Sequence, residues 1–312
     1  MWSVRTAFIE TLTALAERDP RIWLLTADLG YSVLERFAAR VPGRYVNVGV
    51  AEQNLIGLAA GLARSGKIPF VYSIANFPTL RCLEQIRNDV CYHEGNVKIV
   101  AVGGGLAYGA QSYTHHGLED LGVMRLLPGM TVVAPADPVE TRLATEAIAE
   151  HSGPCYLRLG KASEPVLHVA PPAFALGKAI TVRDGTDLTF ISTGGMLQEV
   201  LQAADELQRA GKSVRVLSMH TLKPLDEEAI LAAARETNAI VTAEEHSVTG
   251  GLGSAVADVL AQARVRMPVF QKYGIPDELH HQIGSQPYQR RVLAGNLTDI
   301  AMALCKMRQR AA

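Results

Sequence analysis

Glu52 stands in VNVGVAEQNLIGLAAGLARSGKIPF (46–70), straight after an apolar run and at the opening of a helical stretch rich in small residues. The helix dipole tolerates an acid in a first turn, so Glu52 can simply cap the helix. Held rigidly at a strand-to-helix junction, it is also a candidate for proton-transfer chemistry. The second candidate is GGGLAYGAQSYTHHGLEDLGVMR (103–125), a polar glycine-rich loop after an apolar strand that carries adjacent His115 and His116. In open α/β sheets ligand loops lie beyond the carboxyl ends of strands, which is where this loop falls. The third is YSIANFPTLRCLEQIRNDV (72–90), where Phe77 marks a strand exit before a helix with Glu84 and Arg87. An aromatic there can pack in the core, and alone it decides nothing.

Two phosphate-loop patterns are set aside. GLARSGKI (61–68) has Walker A spacing but carries Ile68 where a metal-binding hydroxyl belongs, and it ends a helix instead of starting one. TGGLGSAV (249–256) follows a strand and opens a helix, yet Val256 occupies the third glycine position of a dinucleotide fingerprint. Tight packing of helix on sheet accounts for its glycines.

The elements that must position these residues follow from periodicity. Short β-branched runs at 22–28, 46–50, 69–74, 97–103, 131–136 and 155–159 alternate with helical patterns at 3–18, 55–64, 80–93 and 138–150. Such alternation specifies a mainly parallel α/β sheet. Periodicity fails near 161–178, where three prolines gather, and resumes with strands at 187–193, 213–219 and 239–245, a helix over 196–210 and another opening at 250. The expected organisation is two α/β domains, 1–165 and 176–312, joined by a linker over 166–175.

Composition narrows the function classes. Lys and Arg number 30 against 31 Asp and Glu, a net charge of −1, which carries no footprint of nucleic-acid or membrane-surface binding. Arg5 and Glu10 interrupt the N-terminal stretch before a signal-like apolar core accumulates, and no later run approaches a membrane span, so a cytoplasmic location is expected. Cys82, Cys91, Cys155 and Cys305 lack CxxC spacing or a nearby paired-His pattern, which reads as buried thiols and no protein-held metal.

Taken in order, NVGVAEQNLIGLAAGLARSGKIPF, RCLEQIRNDV, NVKIVAVGG, THHGLEDLGVMRLLPGMTVVAPAD and EEHSVTGGLGSAVADVL resemble the pyrimidine-binding and C-terminal domains of transketolase over nearly the whole chain. The resemblance implies thiamine diphosphate as cofactor and Glu52 as the catalytic acid on N1′ of its aminopyrimidine ring. That role needs a carboxyl group in a dry pocket with raised proton affinity. It implies further that Phe77 stacks on the aminopyrimidine, that Asp28 lies at the active-site edge, and that His115 hydrogen-bonds substrate oxygens near the reacting carbon. Arg5 and Ser32 match positions that grip a sugar phosphate, a task suited to the bidentate arginine fork.

The family's diphosphate-binding domain carries a Gly-Asp-Gly motif that holds a divalent ion, and none occurs in these 312 residues. The chain therefore resembles the C-terminal subunit of a split transketolase, active only with a diphosphate-binding partner subunit that mainly holds the Mg²⁺. Self-association into a dimer of heterodimers is implied as well. Where the family has Gly-Glu-Asp-Gly, this chain has Gly109, Ala110, Gln111 and Ser112, so Gln111 brings hydrogen bonding without charge to the sugar C2 hydroxyl. A phosphate-binding histidine aligns with Gly103 and an arginine with Lys161. An altered anion site, for a sulfonate or carboxylate or for a more weakly held phosphate, stands beside an ordinary sugar-phosphate site. The expected reaction is transfer of a two-carbon ketol unit from a ketose to an aldose. Alternatives are the β-type subunit of a 2-oxo acid dehydrogenase, a deoxyxylulose-phosphate-synthase-like enzyme, or a non-catalytic partner of a thiamine enzyme. A Rossmann oxidoreductase is a more distant one. His246, His280 and His281 read as surface or interface residues.

Overall fold

A computed structural model describes residues 3–162, 164–265 and 268–309. The first half builds β1 (Ile22–Thr26), β2 (Tyr45–Asn47), β3 (Ile68–Ile74), β4 (Lys98–Val102), β5 (Thr131–Val133) and β6 (Cys155–Leu159). Its helices are α1 (Val4–Arg18), α2 (Glu35–Arg40), α3 (Glu52–Arg64), α4 (Asn76–Leu80), α5 (Leu83–Gln85), α6 (Asp120–Leu126) and α7 (Pro138–Glu150). The second half adds β7 (Ile180–Arg183), β8 (Leu188–Ser192), β9 (Val214–Ser218), β10 (Thr221–Lys223), β11 (Ala239–Ser247) and β12 (Val269–Ile275). With these come α8 (Met196–Arg209), α9 (Glu227–Glu236), α10 (Leu252–Gln262), α11 (Gln286–Ala294) and α12 (Leu297–Gln309).

Two sheets result, in the orders β10-β5-β6-β4-β3-β1-β2 and β12-β11-β8-β9-β7. Among the described residues all pairings are parallel except at the β10 and β7 edges, as the alternating pattern predicts. Strands β3, β4 and β6 are buried along their whole length, which explains why they read as continuous apolar runs. One apolar cluster places Leu55, Ile56 and Ala59 of α3 with Val71, Ile99 and Tyr156 of the sheet and with Leu217 and Ile240 of the second half. Strand β10 pairs with β5, so the second half supplies an edge to the first sheet.

Three expectations are modified. The strand expected over 46–50 stops at Asn47, because Gly49 takes φ +74° and turns the chain toward Glu52. The helix expected over 80–93 is broken: α4 ends at Leu80, Cys82 adopts φ −114° and ψ 15°, and the chain continues as α5 and a π-helical turn at Ile86–Cys91. That turn keeps Ile86, Val90 and Cys91 all buried. The proline-rich segment is strapped down, since the N–H groups of Leu167 and His168 donate to Asp137 Oδ2 at 2.8 and 3.0 Å.

All four cysteines are free thiols, and Cys82, Cys91 and Cys155 are buried. Among the described residues no helix is long and apolar enough to cross a membrane.

Candidate active site

Glu52 is the first residue of α3, 6% exposed, and among the described residues no side chain caps that helix. Its Oε1 lies 3.3 Å from Arg81 Nη1. Arg81 sits at the break after α4, and its backbone carbonyl accepts from Gln53 Nε2 at 3.0 Å. Its guanidinium lies over the Phe77 ring, 4.2 Å from the centroid. Ring face and carboxylate are therefore spaced so that one flat, nitrogen-bearing group touches both. Behind them, burial and then the Glu52 charge push the Cys82 thiol up to about 12, so it stays neutral. A hollow of about 540 Å³ lined by Val50, Glu52, Gln53, Asn54 and Arg81 opens on this side.

The His115 ring stands 5.5 Å from that of Phe77, edge to face. His115 helps to line a second cavity, of about 380 Å³, together with Arg5, Tyr31, Tyr72, Ser73, Tyr108 and Gln111. Arg5 is far in sequence from Gln111 and His115, and they meet here because α1, the glycine-rich loop and the ends of β1, β3 and β4 converge. Two buried polar atoms of this wall, Arg5 Nε and Ser73 Oγ, have no partner among the described residues, an arrangement that favours a polar ligand. The histidine pair divides its work. His116 is buried with Nε2 3.1 Å from Gly109 O, and burial lowers its proton affinity, whereas His115 faces the cavity and bonds Thr114 Oγ1 at 2.9 Å.

The loops carrying these groups are tied together. Asn76 Nδ2 donates to Thr114 O at 2.8 Å, which fixes the start of α4 to the His115 loop. Asn47 Oδ1 accepts from Asp28 N at 2.9 Å and from Gly49 N at 3.0 Å, linking Asp28 to the turn before Glu52. Asp28, Ser32 and Ser112 are non-glycine residues with φ of 55°, 62° and 65°, a sparsely populated conformation that clusters at functional sites. Ser32 itself is exposed and lies outside the cavity lining; its N–H donates to Glu35 Oε1 at 2.8 Å. Lys161 also stays outside the lining, with its ammonium 4.6 Å from the Tyr108 centroid.

Tyr108, Ser73, Tyr31 and Arg81 carry no motif that singles them out in the sequence. Tyr108 stands in plain view inside the glycine-rich loop, yet only the fold shows its ring filling the space beside Gly103. A Cβ on Gly103 would lie 2.0 Å from Tyr108 Cε2. The glycine motif at 249–256 serves structure: Leu252 and Gly253 N–H groups donate to Glu244 at 2.7 and 2.8 Å, so this helix start is already satisfied. His246, 1% exposed, belongs to the interior contact with Gly122 N and not to the surface.

Two parallel-dominated α/β sheets flanked by helices are the fold class of the transketolase pyrimidine-binding and C-terminal domains. The family described as transketolase, pyrimidine binding domain, matches residues 1–165, and the transketolase C-terminal domain matches residues 177–287. The chain belongs to the transketolase family, and within it resembles the C-terminal subunit of split transketolases. It is 44% identical over 280 residues to a subunit of the apulose-4-phosphate transketolase of Phocaeicola vulgatus, covering 89% of each chain. It is 42% identical over 289 residues to the 6-deoxy-6-sulfo-D-fructose transketolase subunit SqwH of Clostridium sp. (strain MSTE9), covering 90% of each. A solved split-gene transketolase, described as an inactive beta4 tetramer, superposes with a TM-score of 0.86 at 39% identity, covering 97% of this chain and 98% of that one.

Proposed function

We propose that this chain is the pyrimidine-binding half of a thiamine-diphosphate-dependent ketol transferase that moves a two-carbon unit from an acidic ketose to an aldose. The observation that carries this reading is the chain of contacts from Glu52 through Arg81 and Phe77 to His115, with one hollow lined by Glu52 and another lined by His115 and Arg5. Thiamine diphosphate, when bound, supplies the electron sink that amino-acid side chains lack. Glu52 holds a proton against the ring nitrogen of the aminopyrimidine, and Phe77 offers its face for stacking. Arg81, whose side chain is 51% exposed, would have to share Glu52 with that ring or give it up.

His115 orients substrate oxygens near the reacting carbon. Gln111 faces a sugar hydroxyl, Asp28 forms the edge, and Arg5 grips the terminal anion with Ser32 and Lys161 nearby. Mg²⁺ and the diphosphate belong mainly to a partner subunit, and the working assembly is a dimer of such pairs. The named substrates of the two relatives end in a phosphate or a sulfonate, and the Arg5 cavity suits either charge.

Reconstitution tests the reading. The purified chain with thiamine diphosphate and Mg²⁺ should turn over no ketose, and ketol transfer should appear when the Gly-Asp-Gly subunit from the same cells is added. Comparing kcat/KM for phosphorylated and sulfonated ketoses then assigns the anion. Robust turnover by this chain alone would overturn the split arrangement.

A further inference from the structure

A separate cavity of about 370 Å³ lies between the two sheets, walled by Gly104 and Arg158 on one side and by Thr193, Gly194 and Gly195 on the other. It shares no lining residue with the His115 cavity. Three donors face this region. The first is the start of α8, a 14-residue helix whose cap, Gly195, offers no side chain to its first N–H groups. Such an end carries a partial positive charge and binds anions readily. The second is Thr193, which is 2% exposed, lines the cavity, and has an Oγ1 without a partner among the described residues. Burying a hydroxyl unpaired is costly, so a ligand that satisfies it gains.

The third is Arg290. Its Nε binds Glu245 and its Nη1 lies 3.1 Å from Glu199 Oε1, while Nη2 lies 3.9 Å from where a Cβ on Gly195 would stand. Two of the three carboxylates of this wall are already engaged. Glu245 accepts from Arg290, Gln286 and the Leu106 N–H, and Glu199 pairs with Arg290. Glu164, whose Oε2 has no partner among the described residues, is shifted by burial toward its neutral form.

We propose that this cavity binds the oxyanion group of a small metabolite, a phosphate or a carboxylate, through the first N–H groups of α8, the Thr193 hydroxyl and the Arg290 guanidinium. A volume of 370 Å³ exceeds a bare anion and suits a small metabolite. Arg290 also holds Glu245, whose Oε1 accepts from Leu106 N at 2.6 Å where the chain enters the His115 loop. An occupant therefore touches the same ion-pair network that anchors that loop.

Thermal melts of the full chain, titrated with inorganic phosphate or with acetate at constant ionic strength, test this site without any catalytic assay. One of the two anions should raise Tm saturably, by about 2 °C at ten times its Kd, and the responding anion identifies the group. Thr193→Val should melt no lower than the wild type without ligand, because it removes an unsatisfied hydroxyl, yet weaken the anion about tenfold. Thr193→Ser should keep the response, and so should Arg5→Met, which removes a cation from the lining of the other cavity. The proposal is overturned if neither anion acts, if Thr193→Val responds like the wild type, or if the response vanishes in Arg5→Met. A failure of ketol-transfer reconstitution leaves this result untouched, since the melts do not depend on it.

Discussion

Glu52 opens α3 with its carboxylate buried and, among the described residues, a single ion partner, Arg81, at 3.3 Å. Glu52→Gln keeps the shape and a hydrogen-bond acceptor but removes the proton the carboxyl can carry. Turnover of the assembled complex should fall about 10²- to 10⁴-fold while the melting temperature stays near that of the wild type. Unchanged turnover would instead favour a non-catalytic role for this chain. Gly103 makes a second case at this scale. Its φ of +76° and the 2.0 Å approach of Tyr108 leave no room for a side chain. Gly103→Ala should cost about 1–3 kcal/mol in urea unfolding, from backbone strain and the displaced ring together. The Tyr108 ring, with the Lys161 ammonium 4.6 Å from its centroid, occupies the space a side chain there would need.

At the scale of elements, the proline-rich segment is fastened to the N-terminus of α7. Asp137 caps that helix through Glu140 N at 2.8 Å and accepts from Leu167 and His168 N–H groups, while His168 Nε2 meets Glu140 Oε1 at 2.8 Å. Burial pushes Glu140 up, but His168, the nearby His220, Ala136 N–H and Ser218 outweigh it and hold the carboxyl low. The Glu140 hydrogen bond in turn raises His168 above the ordinary histidine value, against the opposing effect of burial. A raised histidine stabilises the fold fully below its unfolded pKa, and that contribution is lost as pH rises through the folded value. A lowered carboxyl contributes above its unfolded pKa and loses that contribution on acidification. Stability from this strap should therefore decline as pH rises above the ordinary histidine value of about 6.5, and His168→Gln should flatten that decline in urea titrations. A slope unchanged by the substitution would mean the pair does not govern it.

For the whole molecule, the outer face of α3 is the informative surface. Gly57 and Gly61 are exposed, and a Cβ on either would meet nothing within 4 Å. Val50, two residues before α3, and Tyr92, just after the π-helical turn, are 77% and 81% exposed, unusual for large apolar side chains. Small residues on a helix face beside exposed apolar ones permit close helix approach, which supports the proposed self-association. Gly57→Leu should leave the lone chain at least as stable, since leucine outranks glycine in a helix by about 0.8 kcal/mol. Sedimentation velocity should nevertheless show smaller species than the wild type. Retention of the wild-type assembly would place the interface elsewhere.

The sequence by itself determined the parallel α/β plan, because strands buried on both faces are apolar throughout and the helices between them keep a 3.6-residue period. It also singled out Glu52, Phe77 and His115, whose residue types and order along the chain carry the family resemblance. Local pattern could not decide the break at Arg81 and Cys82, since a helix and its broken form share nearly the same apolar spacing. Nor could it separate His115 from His116, because adjacent residues differ only in which one the fold turns inward. The meeting of Arg5 with Gln111 and His115, the Tyr108 ring over Gly103, and the lending of β10 to the first sheet were decided by tertiary structure alone. The first and last join residues distant in sequence, and such contacts form only when the sheets close and the burial of apolar surface compensates the entropy of closing the intervening chain.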